Sequence, residues 1–166
     1  MKHDDDIEKL ARLIKGIRCA MLTTVDQDGT LRSRPMETQN TDFDGALWFF
    51  TDAGAPKVDE INREHEVNLA YADPHGNRYV SVSGTALVVR DKAKVDELWT
   101  PALKAWFPNG KDDPNIALLR VQVTKAEYWD APSSTLVKLL GFTKAILTGK
   151  RYEPGDHEKL DVRPHA

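Results

Sequence analysis

Trp48-Phe-Phe-Thr-Asp-Ala-Gly-Ala-Pro-Lys57 is the stretch on which the fold of this chain turns. It opens inside Ala46 to Thr51, a run apolar on both faces, which reads as a strand covered on both sides. A turn of small residues follows, and then a helix that begins at Pro56. Proline is favoured at a first helical position because the N–H it lacks would be unpaired there anyway. Ala55, just before it, has no side-chain oxygen, so this helix start has no usual cap and its N–H groups stay free. Those N–H groups, the positive end of the helix dipole and the Lys57 ammonium converge on one spot, a combination that suits a phosphate. The plain alternative is a helix start with a solvated lysine, and these residues alone favour it.

Moving outward, Ala20 to Val25 and Leu31 to Thr38 flank the turn signal Asp26-Gln-Asp-Gly29 as a hairpin, and Asp42-Phe-Asp-Gly45 marks a second turn. Val67 to Ala72 and Arg78 to Arg90 read as further strands. Gly84, in the middle of the longer one, predicts a bulge or a close backbone approach. Ala117 to Val123 and Glu127 to Trp129 complete a set of about six. Ile7, Leu10, Ala11, Leu13 and Ile14 recur at helical spacing behind a cap at Asp4 to Asp6, with Gly16 as the stop. Other helical stretches are Pro56 to Glu64, Asp91 to Trp106 and Ser134 to Thr148. The pattern predicts a mainly β (α+β) domain over residues 1–150, an antiparallel six-stranded barrel with peripheral helices. A polar tail over 151–166 is expected to be loosely held from Tyr152 onward.

Composition excludes more than it suggests. The 166 residues carry 23 Lys and Arg against 26 Asp and Glu, a net charge of -3, which argues against nucleic acid and anionic membrane as partners. One cysteine, Cys19, cannot form an internal disulfide, and no run of about 18 apolar residues argues for a membrane helix. The acidic opening Met-Lys-His-Asp-Asp-Asp is unlike a secretory signal, so a cytoplasmic location is expected. The five histidines show no ligand spacing, so no metal site is expected. Gly-x-Gly-x-x-Gly and Walker motifs are absent, and Asp26-x-Asp28-Gly29 is explained by a hairpin turn without calcium. Cys19 reads as structural. No nucleophile and base pair up, so any chemistry is expected to be carried by a bound cofactor.

Two further features are informative. In Leu31-Arg-Ser-Arg-Pro-Met-Glu37, Arg34 offers a guanidinium fork for phosphate, and Pro35 imposes an extended conformation and removes a ladder donor. Taken alone, this is more readily an edge strand protected by charge and proline. Trp106-Phe-Pro-Asn-Gly-Lys-Asp-Asp-Pro114 reads as a long loop whose Trp-Phe pair suits a lid or pocket wall. Trp48 and Trp99 read as core or helix-packing residues.

The ordered set Arg34-Pro-Met, Phe49 to Lys57, Tyr79-Val-Ser-Val-Ser-Gly84 and Ala126-Glu-Tyr-Trp-Asp130 resembles the flavin-binding split-barrel proteins related to pyridoxamine 5'-phosphate oxidase. The resemblance spans roughly residues 8 to 150. It is strongest to the general stress protein 26 branch, which Glu97-Leu-Trp-x-Pro101, Trp106-Phe-Pro and Asp112-Asp-Pro also fit. It implies FMN as cofactor, ahead of FAD or deazaflavin, with the phosphate held by Arg34 and Lys57. Where the oxidase has a second arginine before that lysine, this chain has Pro56. By the same resemblance, Phe50 and Thr51 lie on the strand contacting ribityl and phosphate. Pro35, Met36 and Glu37 contribute backbone beside the isoalloxazine, and Tyr79 replaces a flavin-contacting glutamine. Trp129 closes the site, and Trp106 is the candidate lid. A homodimer with the site at its interface is implied.

After Trp129 the oxidase carries an Arg-x-His-Asp-Arg type of cluster for its substrate, whereas this chain reads Asp130-Ala-Pro-Ser-Ser-Thr. The expectation is therefore an FMN-dependent oxidoreductase of unknown substrate and electron donor that is not a true pyridoxamine phosphate oxidase. The competing expectation is a non-catalytic stress protein that stores or senses flavin.

Overall fold

A computed structural model describes residues 2–39, 41–131, 135–153 and 155–164. The elements run α1 (Lys2–Ile14), β1 (Cys19–Val25), β2 (Leu31–Glu37), β3 (Ala46–Asp52), α2 (Pro56–Arg63), β4 (Glu66–Asp73), β5 (Arg78–Val89), α3 (Lys92–Leu98), a 3₁₀ turn at Pro101–Ala105, β6 (Ile116–Asp130), α4 (Thr135–Thr148) and β7 (Asp156–Asp161). The strands form one antiparallel sheet in the order β2-β1-β4-β5-β6-β3, with β7 also on β6. The sheet curls into a split barrel, and β2 and β3, at the two ends of the order, flank the split. A backbone bond from Gln39 N to Trp48 O (3.4 Å) reaches from just past the end of β2 to β3.

The described residues form seven strands, one more than the sequence predicts. The two runs expected at 117–123 and 127–129 fuse into the 15-residue β6, whose first half pairs β3 and whose second half pairs β7 along the same edge. The added strand, β7, lies in the stretch expected to be a loose tail. It is held because Leu160 and Val162 are buried and because Asp6, expected to cap α1, sits inside that helix and accepts from Asp161 N (3.2 Å). The helix expected over 91–106 is also shorter. It ends at Leu98 and resumes as the 3₁₀ turn, because Pro101 disfavours helical backbone at the residue before it.

Alternation sorts the side chains. Inward residues, among them Leu22, Phe49, Leu69, Tyr71, Val82, Val121 and Tyr128, form the barrel core with Leu10 of α1 and Ile61 of α2. A second cluster lies outside the barrel, where Val95 and Leu98 of α3 and Phe107, just past the 3₁₀ turn, pack against Phe50 and Leu118. Trp48 and Trp99 pack against this cluster, in line with the packing roles read for them. Cys19 opens β1 as expected, but its side chain is exposed and belongs to neither core. At Gly84 the β5–β6 register shifts, and a Cβ there would collide with Gln122 O, so both halves of the expectation for this glycine hold.

Burial raises the Tyr71 hydroxyl to about 12, against a smaller opposing effect of its hydrogen bond with Thr38 Oγ1 (3.1 Å). Because the folded value lies above the unfolded value of 10.0, this contribution to stability is intact below pH 10 and is lost as pH rises towards 12. Two units correspond to about 3 kcal/mol. Denaturation followed between pH 9 and 12 should show this alkaline loss in the wild type and a flatter profile in Tyr71→Phe; parallel profiles would assign the loss to other groups.

Candidate functional site

The helix that follows β3 begins as its sequence predicts. Ala55 is the N-cap in extended conformation, gives no side-chain cap, and precedes Pro56 in the first turn. The turn before it is tied by Gly54 N donating to Asp52 Oδ1 (2.7 Å) and Ala55 N to Asp52 O (3.1 Å). The helix lies across the barrel end with Val58 and Ile61 buried. That orientation leaves Lys57 half-buried beside the helix start.

Arg34 points inward from β2, in the row that continues through Leu22, Leu69, Val82 and Ala126. Its Nη2 donates to Glu60 Oε2 at 2.7 Å, and its Nη1 donates to Thr24 Oγ1, which in turn donates to Glu60. Arg32 Nη1 reaches the other Glu60 oxygen at 3.5 Å and Asp26 Oδ2 at 3.3 Å. Glu60 is only 2% exposed, so its charge is held by arginine and hydroxyl donors and not by water.

Lys57 is pushed below its ordinary value of 10.5, first by burial and next by the nearby Arg34 charge, with Asp52 and Glu60 pulling the other way. The two sequence-predicted cations therefore lie near enough for their charges to act on each other. Pro56 has no N–H and Val58 N donates to Ala55 O (2.9 Å), so what this helix start offers a phosphate dianion is chiefly the Lys57 ammonium near the Arg34 guanidinium, and the residues present fit such a group.

Other predicted residues divide by position. Thr51 is buried on the inward face of β3 near this end, while the Phe50 ring turns outward against Trp99 (6.0 Å between centroids) and Phe107 (6.2 Å). The Met36 side chain is in the core, whereas Pro35 and Glu37 are exposed on the edge strand β2, with Glu37 paired to Arg18 at 2.9 Å. Trp106 is 74% exposed and adjoins Phe107, which packs near the start of β6. Tyr79 and Trp129 are cross-strand partners on the outward face near the end of β6. Ile116 and Trp129 are thirteen positions apart on β6, about 40 Å along the strand.

One chain thus places the sequence-predicted residues in two groups. Arg34, Thr51, Lys57 and Trp106 lie towards the α2 end. Tyr79 and Trp129 line a groove of about 290 Å³ with Asn77, Asp130 and His157. The His157 ring stacks on Trp129 at 5.1 Å and 12°, and its Nε2 lies 2.7 Å from Glu127 Oε1.

Glu60, Thr24 and Arg32 escape the sequence reading, as does His157. For Glu60 one signal exists: it sits between Val58 and Ile61 on the buried stripe of a short helix, where a carboxylate needs a cation. His157 has no comparable signal.

A family model described as pyridoxamine 5'-phosphate oxidase like matches residues 5–153, so β7 lies beyond the match. General stress protein 26 of Bacillus subtilis is 28% identical over 144 residues, covering 84% of this chain and 99% of its own. The crystal structure of the general stress FMN/FAD binding protein from Xanthomonas citri is 34% identical, with TM-score 0.67 and coverage of 79% of this chain and 92% of its own. General stress protein 26 from Bacillus anthracis is 26% identical, with TM-score 0.64 and coverage of 77% and 94%. No helix among the described residues is long and apolar enough to cross a membrane.

Removing the Glu60 carboxylate leaves Arg34 without its buried counter-charge. Glu60→Ala should cost about 3 kcal/mol in chemical denaturation, with Glu60→Gln costing less; a loss under about 0.5 kcal/mol would show that Arg34 finds adequate solvent.

Proposed function

The chain belongs to the general stress protein 26 branch of the pyridoxamine 5'-phosphate oxidase-like family, and on that premise we propose that it is an FMN-binding flavoprotein, a flavin-dependent oxidoreductase working as a homodimer. The observation that carries this reading is the placement of Lys57 at an uncapped helix start beside the Arg34–Glu60 pair, where burial and the Arg34 charge both push its pKa down. FMN ends in a phosphate of that chemistry. FAD presents a bridged diphosphate, for whose adenosine part the sequence carries no signature.

Arg34 and Lys57 hold the phosphate. Glu60 and Thr24 orient the Arg34 fork, and Thr51 presents a buried hydroxyl on the strand that leads into this end. The edge strand β2 lends backbone around Pro35, Met36 and Glu37 to the flavin ring, since alternate groups on its open side have no strand partner. A bound flavin supplies two-electron transfer. Tyr79 and Trp129 lie three and four strand positions from Arg34 and on the other face of the sheet. That separation supports a site shared between copies, with one chain holding phosphate and the other supplying the aromatic wall. Asp130 to Ser133 carry no Arg or His, which supports a substrate other than pyridoxamine phosphate.

The purified protein should show oxidised-flavin absorbance through gel filtration or, as apoprotein, quench added FMN fluorescence. A colourless protein that does neither sinks the proposal. Lys57→Ala should weaken FMN at least tenfold while changing riboflavin affinity little; equal losses would remove Lys57 from the phosphate site. Anaerobic reduction of the bound flavin by NADH or NADPH within seconds is expected of the oxidoreductase, and none within minutes would make it a flavin carrier.

A further inference from the structure

Helix α4 and the segment behind it contradict the economy of the rest of the molecule. Leu139, Leu140, Phe142, Ile146 and Leu147 are all exposed, the last two at 80%, and no described residue of this helix is buried. A 14-residue helix is marginal in water on its own and depends on packing one face. Here its described anchor to the same chain is Tyr152, whose ring stacks on Phe142 at 4.3 Å and lies against Gly141.

A second surface of the same molecule is equally uncovered. On the outward face of the sheet the row Pro35, Met21, Ala70, Ser81 crosses four strands without a charge, and Met21 is 40% exposed. Tyr79 and Trp129 continue this face to β6. The row meets its first charge at Glu127 on β6, and a half-exposed sheet face carrying Met21, Tyr79 and Trp129 marks an interaction surface.

We propose that α4 is an arm that lies on the outward sheet face of a second copy of this chain, each protomer covering the other. The proposal rests on the shared-site dimer argued above and names the element that clamps it. Charge complementarity favours a second copy. Residues 135–152 carry Lys138, Lys144, Lys150 and Arg151 with no carboxylate, so a whole-chain charge of -3 leaves the remainder at -7. A basic, apolar helix is drawn to that acidic body. The same body is repelled by an anionic lipid surface, the other place where such a helix settles. Size agrees as well. Five large apolar side chains per helix, placed reciprocally on two copies, bury on the order of 2,000 Å² in total, within the range of stable dimers.

The test uses the full chain with Ile146→Glu and Leu147→Glu together, and sedimentation equilibrium with and without FMN. Neither side chain touches the core, so far-UV and near-UV circular dichroism of the variant should match the wild type. The wild type should be a dimer and the variant should dissociate at least tenfold more readily. Hydrogen exchange gives a second reading without mutation: amides of α4 should gain protection as wild-type concentration rises through the dimer range. A wild-type dimer with an equally stable variant, or with α4 amides unprotected, overturns the arm and leaves the shared flavin site standing. A wild-type monomer that binds FMN tightly overturns both. Wild-type monomer that pellets with phosphatidylglycerol vesicles assigns α4 to lipid and overturns the arm.

Discussion

At one end of the barrel the buried Glu60 carboxylate holds the Arg34 guanidinium, and Lys57 lies near enough to feel both charges. Ion pairing of this kind adds little net stability, because desolvation consumes most of the Coulomb gain, yet loss of either partner leaves a buried charge exposed to an apolar surrounding. The arrangement therefore acts as a constraint. It demands that the β1–β2 hairpin deliver Thr24 and Arg34 in register, and that α2 dock through Val58 and Ile61 so that Glu60 faces inward. It also demands that the turn after β3 place Lys57 on the outer side of that pair. Hairpin, turn and helix each have other reasons to form, and this charge balance, together with the packing of Val58 and Ile61, fixes their relative placement.

The long strand β6 organises the opposite end. It contacts β5 along nearly its whole length and offers its other edge to two successive partners, β3 and β7. The register shift between Ser83 and Gly84 lies close to the handover, with Thr124 as the extra residue and its Oγ1 donating to Ser83 O at 3.2 Å. A bulge increases local twist and lets the two halves of one strand face different directions. The phosphate end and the aromatic end of the proposed site are thus separated by the same strand that joins them.

Strand positions are legible in the sequence because half-buried strands alternate and the turns carry their own residues, Asp26 to Gly29 being the clearest. The uncapped start of α2 is legible because it depends on three adjacent residues. What stays hidden is what depends on distance in the chain. Glu60 and Thr24 are partners across 36 residues, and no local pattern announces such a pair. Strand β7 reads as polar because it is an exposed edge with one inward residue, Leu160, and its burial is decided by α1 and β6. Trp106 and Trp129 are each singled out in the sequence, but a linear reading does not register that β6 holds them apart within one chain.

The contacts between α1 and β7 carry a consequence for how the molecule is made. Asp6 bonds Asp161 and Lys9 bonds Glu158, so a helix near residue 10 rests on a strand near residue 160. Synthesis proceeds at about 5–20 residues per second, so α1 emerges on the order of ten seconds before β7 exists. Through that interval its apolar stripe has only part of its final cover. The barrel of β1 to β6 must hold together with one wall unfinished, and the last strand to appear seals the first helix in place.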